Sequence, residues 1–303
     1  MRRRLVCGSV LLAALALAPA CTERRPAPQP QNKPLLYVTN YPLAYFAQRI
    51  AGDAAEVRLP APPGVDPSHW EPEPAVIEQY QRADLVLLNG AGYEKWAERA
   101  TLAASRLVNT SASFEADYIP LKDAITHSHG PQGEHTHAGF ASITWLDPRL
   151  AAKQAEAIRD ALIRLLPERQ AALEQNFRSL AGDLSALDRE LERIAADKRP
   201  MLASHPVYQY LERRYGLDIP SLHWEPDRMP GAGQWRRFER LLKRHRPSLM
   251  LWEAEPLPEI AERLTGYGVR VVVFDPCANV PREGDYLAVM RANVARLERA
   301  LAD

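Results

Sequence analysis

Cysteine is scarce in this chain. Only Cys7, Cys21 and Cys277 occur among 303 residues, too few for a disulfide framework, so the fold must rest on its apolar core. Net charge is missing too. The 38 basic residues match 38 acidic ones, which leaves no overall field to draw in nucleic acid or an anionic membrane surface. No internal apolar run approaches the roughly 18–20 residues of a membrane span. Gly-x-Ser-x-Gly and the P-loop lysine motif are both absent, which removes the usual cues for a serine hydrolase or a nucleotide-phosphate site. What is present is an ordinary share of aliphatic and aromatic residues, 46%, in a chain long enough for one large or two medium domains.

The N-terminus has its own pattern. Arg2, Arg3 and Arg4 precede an apolar stretch over 5–17, then Ala18, Pro19, Ala20 and Cys21. A basic segment, a short apolar core and small residues predict an export signal over 1–21. Cys21 at that point predicts lipid attachment. Ordinary signal-peptidase cleavage stays open, because Ala18 stands where a lipoprotein signal prefers leucine. Residues 22–33 are rich in Pro, Gln, Asn and Arg and read as a flexible tether. The mature chain is thus expected in the periplasm or cell envelope, touching the membrane only through its lipid. Cys277 then has no disulfide partner and reads as a small buried packing residue.

Leu173, Phe177, Leu180, Leu184, Leu187, Leu191 and Ile194 recur at steps of four and three, which puts them on one side of a helix. With Pro167 in its first turn and an end at 197–200, this helix would run about 28 residues, or about 40 Å. Strand-and-helix sequence flanks it, so it reads as a spine joining two lobes. A coiled-coil dimerisation helix is the alternative, but the heptad run is short for one. The expected fold class is α/β, with two lobes, each a mostly parallel sheet flanked by helices, and a long spine helix between them. Residues 34–147 form the first lobe, 148–199 the connecting helices and 200–303 the second lobe, in a monomer.

In the first lobe, strands are expected at 35–39, 56–59, 84–90 and 106–109, and helices at 42–50, 74–82 and 93–105. A proline-rich segment, 60–72, excludes helix and central strand. Residues 127–137, with Gly, Pro and four histidines, read as a loop. In the second lobe, strands are expected at 200–204, 217–222, 248–252 and 269–274, and helices at 206–215, 234–245, 258–264 and 286–301. His245, among Lys243, Arg244 and Arg246, reads as a surface residue.

In parallel sheets, ligands bind beyond the carboxyl ends of the strands. His205, His223, Glu225, Glu253 and Asp275 all fall there in the second lobe. Imidazole with a carboxylate suits Zn²⁺, and more oxygen shifts the preference toward Mn²⁺. His205 and Asp275 are the leading candidates, each with a bland alternative as a helix-capping or turn residue. His69, in the proline-rich loop, is either a ligand or a surface imidazole. The His-x-His pairs His127/His129 and His135/His137 either join the site or lie solvated.

These segments also carry a family resemblance. Val38-Thr39-Asn40-Tyr41-Pro42-Leu43, Pro63-Gly64-Val65-Asp66-Pro67 with Glu71-Pro72, the stretch at 83–90 with Tyr93 to Trp96, Trp145-Leu146-Asp147-Pro148, Ser204-His205, Arg214-Tyr215-Gly216-Leu217 and Phe274-Asp275-Pro276 follow in order. Together they resemble the metal-binding proteins of bacterial ABC importers for zinc and manganese, the TroA-like and ZnuA-like cluster, as a divergent member. The resemblance implies two α/β lobes bridged by a rigid helix, and a site of three histidines and one carboxylate. His205 and Asp275 carry over directly. The first family histidine would fall at Ser68, with His69 one residue late, and the second at Ile143, which cannot bind metal. The resemblance therefore implies a gap filled, in order of preference, by His135 or His137, by Glu253 or Glu225, or by water.

The expected function is the solute-binding component of an ABC importer. It would capture a divalent transition metal, zinc first and manganese second, in the cleft between lobes and hand it to a membrane permease, with no catalysis. Two rivals remain open at this point. One is an exported zinc-dependent hydrolase with Glu225 or Glu253 as base; the other is an adhesin or scaffold that has lost metal binding.

Overall fold

The computed structural model describes residues 33–121, 125–128, 134–137 and 139–302. The expected export signal, Cys21 and nearly all of the tether lie outside them, as does His129.

The first lobe is built on four parallel strands, β1 (Leu35–Val38), β2 (Glu56–Arg58), β3 (Leu85–Leu88) and β4 (Leu107–Asn109), in the order β2-β1-β3-β4. Tyr37 lies opposite Val86, and Leu87 opposite Val108. Two helices cross between strands, α1 (Tyr41–Ala51) and α2 (Pro74–Arg82). Helix α1 starts sharply because the Asn40 side chain accepts the Leu43 N–H at 3.0 Å and Pro42 has no amide to satisfy in the first turn. Its end is set by Gly52, at φ 58°, a conformation that costs glycine nothing.

The expected helix at 93–105 is absent. Two short 3₁₀ turns, Lys95–Glu98 and Ala104–Arg106, stand there instead. Tyr93 and Trp96 are buried three residues apart, the spacing of a 3₁₀ turn. The expected histidine-bearing loop contains strands β5 (Ile125–Ser128) and β6 (Glu134–His137), paired antiparallel with His127 opposite His135.

Helix α3 (Pro148–Leu165) leads by a 3₁₀ turn at Pro167–Arg169 into α4 (Gln170–Ile194). The spine is therefore 25 residues, about 37 Å, and it starts three residues after the expected proline. Six of the seven stripe residues are buried; Phe177 is half-buried under the Arg159 guanidinium, 4.5 Å from its ring centre.

The second lobe carries the parallel strands β7 (Met201–Ala203), β8 (Leu249–Trp252) and β9 (Arg270–Val273) in that order. Every residue of β7 and β8 is buried, as expected for parallel strands covered on both faces. Helices α5 (Gln209–Tyr215), α6 (Ala232–His245), α7 (Pro258–Gly266) and α8 (Tyr286–Ala302) complete it. The expected strand at 217–222 reduces to one parallel bridge, Ser221 to Ala203. Pro220 accepts the Ala203 N–H but has no N–H to return. His245 is not on the surface either. Its ring is mostly enclosed at the end of α6, with Nε2 at 3.1 Å from the Met201 carbonyl.

One core joins all of this. Leu180, Leu184 and Leu187 of α4 share it with Phe46 and Ile50 of α1, Leu251 and Val272 of the second sheet, and Tyr286 of α8. A charged knot sits at its margin. Buried Asp188 accepts two hydrogen bonds from Arg214, at 2.9 and 2.7 Å, one from Tyr215 at 2.9 Å and one from Arg149 at 3.1 Å. Burial would raise the pKa of this carboxyl, but the bonds from Arg214, Arg149 and Tyr215 outweigh it and hold the value below the ordinary aspartate range. The knot fixes α5 and α3 against the spine. Asp188→Ala strands Arg214 and should cost about 3 kcal/mol, read as a lower denaturation midpoint in urea. A loss under about 1 kcal/mol would mean the knot behaves like an exposed ion pair.

Candidate metal centre

The carboxyl ends of both sheets open on one cleft of 1890 Å³. Its lining includes Asp66, Ser68, His69 and Ile143 from the first lobe, and His205, His223, Glu225, Glu253 and Asp275 from the second.

On the first-lobe side, a buried amide network anchors the wall. Asn40 Nδ2 and Gln154 Nε2 both donate to Asn89 Oδ1, at 3.2 and 3.1 Å. Asn89 Nδ2 in turn donates to the Ser142 carbonyl at 2.9 Å, beside Ile143. Glu94 lies beneath, accepting from the Gly90 N–H at 3.0 Å and the Thr39 hydroxyl at 3.3 Å. The proline-rich loop folds on Asp66, which accepts the Ser68 N–H and hydroxyl, both at 2.9 Å. Its other oxygen lies 3.1 Å from His69 Nδ1. Enclosure in the cleft works to raise the Asp66 pKa, but the His69 and Ser68 contacts prevail and lower it.

On the second-lobe side, β7 delivers His205, 4% exposed, β8 delivers Glu253 and β9 delivers Asp275. Asp275 is braced: its N–H donates to Asn293 Oδ1 at 3.1 Å, and its Oδ1 accepts the Cys277 N–H at 2.7 Å. Residues 221–225 run extended beside the end of β7, with Leu222 N–H bonded to the Ala203 carbonyl and Trp224 N–H to that of Ser204. In an extended chain alternate residues face opposite ways. Leu222 and Trp224 are buried in the second-lobe core, so Ser221, His223 and Glu225 turn to the cleft. His205 Nδ1 lies 3.8 Å from Glu225 Oε1 and 3.9 Å from Glu253 Oε1. The His205 and His223 ring centres are 5.8 Å apart.

The electrostatics favour a cation. Seven carboxylate residues line the cleft against two arginines. Burial, then Asp66, Glu225 and Asp275, push Glu253 up to about 8. Burial also raises Asp275, against the pull of the Cys277 N–H and Arg296. Burial first, then Arg237, lower His223 to about 4, so its imidazole is neutral at ordinary pH and able to bind a metal.

The predicted residues thus divide. His69, His205, Glu225, Glu253 and Asp275 line one cleft. His127, His135 and His137 lie on the paired strands β5 and β6, and their side chains fall outside the described structure. Among the described residues, no three His, Cys, Asp or Glu side chains meet closely enough to hold an ion as they stand. Two cleft residues, Asp66 and His223, stand outside the predicted ligand set. The alternation of Ser221, Leu222, His223, Trp224 and Glu225 was the available signal for the second.

Two lobes on a stiff helix, with acids and imidazoles lining the cleft between them, define a two-lobed α/β cleft protein. The family described as "Zinc-uptake complex component A periplasmic" matches residues 36–300, and the chain belongs to it. The zinc-binding lipoprotein AdcA of Streptococcus pneumoniae is 26% identical over 306 residues, covering 96% of this chain and 60% of its own; the chain therefore spans about 60% of that relative's length. The high-affinity zinc uptake system protein ZnuA of Bacillus subtilis is 26% identical over 314 residues and is covered, like this chain, to 96%. The crystal structure of the metal-dependent lipoprotein YcdH from Bacillus subtilis has the same fold, with a TM-score of 0.76 at 23% identity, covering 88% of this chain and 99% of that one.

The wall beneath the site has a pH signature of its own. Burial raises Glu94 from 4.5 to about 7, against the Gly90 and Thr39 hydrogen bonds. The folded state holds this proton more tightly than the unfolded chain. The contribution to stability is therefore full below about 4.5 and is lost as pH rises through about 7, a change on the order of 3 kcal/mol. Glu94→Gln, which cannot ionise, should flatten the fall in urea midpoint between those values. An unchanged slope would place the titrating group elsewhere.

Proposed function

We propose that this protein is the metal-capturing receptor of an ABC importer. It takes up a divalent transition metal in the cleft and presents it to a membrane permease. The carrying observation is the cleft itself, where two sheets bring His69, His205, Glu225, Glu253 and Asp275 together amid an excess of carboxylates. Zinc is the first cargo, because imidazole nitrogen with carboxylate oxygen is its preferred donor mix; manganese is second, as the oxygen-rich wall also suits it. No bond is made or broken, in keeping with membership of an uptake-complex family.

His205 and Asp275 form the centre of the ligand set. His135 or His137, then Glu253 or Glu225, then water, is the order of preference for the place that Ser68 and Ile143 leave. The chain acts as a monomer at the outer face of the membrane, cut from its export signal just before Cys21, with Cys21 lipidated and 22–33 as tether. The mature lobes are 34–147 and 200–303, joined through 148–199. No helix among the described residues is long and apolar enough to cross a membrane.

Isothermal calorimetry on metal-stripped protein tests this. The wild type should bind one Zn²⁺ tightly. His205→Ala should lose more than the about 10- to 100-fold that removal of a supporting contact costs. Equal affinity in the two proteins would remove His205 from the site, and no zinc binding by the wild type would end the reading.

A further inference from the structure

The first-lobe wall gives the site fewer imidazoles than its chemistry calls for: Ser68 and Ile143 face the cleft where nitrogen donors would serve, and His69 is tied to Asp66. The second lobe has one more to offer. We propose that His223 is a metal ligand, and that this chain holds its cargo mainly on the second lobe, on His205, Asp275 and His223 with Glu225 or Glu253 beside them. The inference rests on the reading of the cleft as a metal receptor and names the donors within it.

Three geometric facts carry it. The first is register. The extended run at 221–225, pinned to the Ala203 and Ser204 carbonyls, turns His223 and Glu225 to the same side, over buried Leu222 and Trp224. A His-x-Glu pair in extended chain can chelate one ion. The second is the spacing around His205. Donors about 2.0–2.1 Å from a tetrahedral ion lie about 3.3 Å from one another. His205 Nδ1 is 3.8 Å from Glu225 Oε1 and 3.9 Å from Glu253 Oε1. Both distances are too long for a direct hydrogen bond and within about half an ångström of two atoms sharing an ion. The third is the imidazole pair. Two rings bound to one tetrahedral ion have centres about 5 Å apart, and those of His205 and His223 are 5.8 Å apart, nearly perpendicular at 77°. Small side-chain rotations would close the remaining gap, which accords with no three donors meeting as they now stand.

The charge balance agrees. Seven carboxylate residues line the cleft against two arginines, and a divalent ion placed between His205 and the two glutamates would offset that excess.

The direct test is a crystal of the wild-type protein grown with Zn²⁺ and measured at the zinc absorption edge. An anomalous peak within about 2.1 Å of a His223 nitrogen and of His205 is expected. A peak bound to His205 but more than about 4 Å from His223 would overturn the proposal and leave the receptor reading intact. In solution, His223→Ala should weaken zinc binding at least tenfold and lower the histidine count from X-ray absorption by one. His223→Asn serves if the alanine variant is unfolded by circular dichroism. Unchanged affinity and histidine count would again exclude His223 alone, whereas a wild type that binds no zinc would remove the receptor reading and this proposal together.

Discussion

The fixed separation of two sheets is the constraint on which the rest of this molecule depends. It comes from a single rod, α4, whose apolar stripe is shared by α1 of one lobe and α8 of the other. Because that stripe is continuous with both lobe cores, the lobes cannot rotate without breaking a common packing surface. Interiors of this density have discrete arrangements rather than a continuum. The carboxyl ends of both sheets are thereby aimed at one cleft, and the side chains there inherit positions set far from them. The Asp188 knot adds direction: Arg214 and Tyr215 bind it from α5, the helix that follows His205, so the spine also positions the segment bearing the most buried cleft histidine.

Charge in the cleft follows from the same geometry. Parallel strands end where turn residues begin, and in this chain those residues are acids or imidazoles: His205, Glu253 and Asp275 each follow a strand by one or two positions. Burial, and after it the nearness of Asp66, Glu225 and Asp275, raises Glu253 to about 8. Holding Glu253 in such surroundings costs the folded protein stability at neutral pH, and a cation in the cleft would offset that cost. The neutral imidazole of His223 adds a donor without adding charge.

Much of this was legible in the sequence, and the reasons differ by element. The spine was visible because a 3.6-residue period persists over seven apolar positions. β7, β8 and β9 were visible as short apolar runs between turn residues, and the acids and histidine at their ends followed from the topology of parallel sheets. The misses also have physical causes. At 93–105, burial of Tyr93 and Trp96 and the Glu94–Gly90 hydrogen bond favour the tight turn at Lys95–Glu98 over a continuous helix. At 217–222, Pro220 cannot donate to a ladder. His245 looked exposed because its neighbours are basic, yet a position in the last turn of α6 reaches the carbonyls of Met201 and Asp218. The hairpin of β5 and β6 was hidden by the Gly and Pro between its strands, which marked a turn more strongly than the flanking residues marked strands. For the candidate site, the second-lobe residues could be gathered from topology alone. The facing of His223 was encoded in the alternation over 221–225, whereas the pairing of His69 with Asp66 depends on local backbone that periodicity does not encode.

The lobes are also tied across the base of the cleft. Tyr41 N–H donates to the Ala278 carbonyl at 2.9 Å, and Trp145 Nε1 donates to that of Pro276 at 2.7 Å. Asn279 Nδ2 reaches the Pro62 and Val65 carbonyls, both at 2.7 Å. Each such bond is worth about 1 kcal/mol net, and more where its loss leaves a buried group unsatisfied. Opening by a hinge would break all of them at once and expose part of the shared core. Under the proposed function, cargo exchange would have a cheaper route, in which side chains and loop segments at the rim rearrange while both sheets stay where the spine holds them. On that account, affinity for the ion is set by the donors themselves rather than by the free energy of closing two lobes. A change of a single side chain at the cleft rim, such as Ser68 or Ile143, then alters the site without altering the fold that carries it.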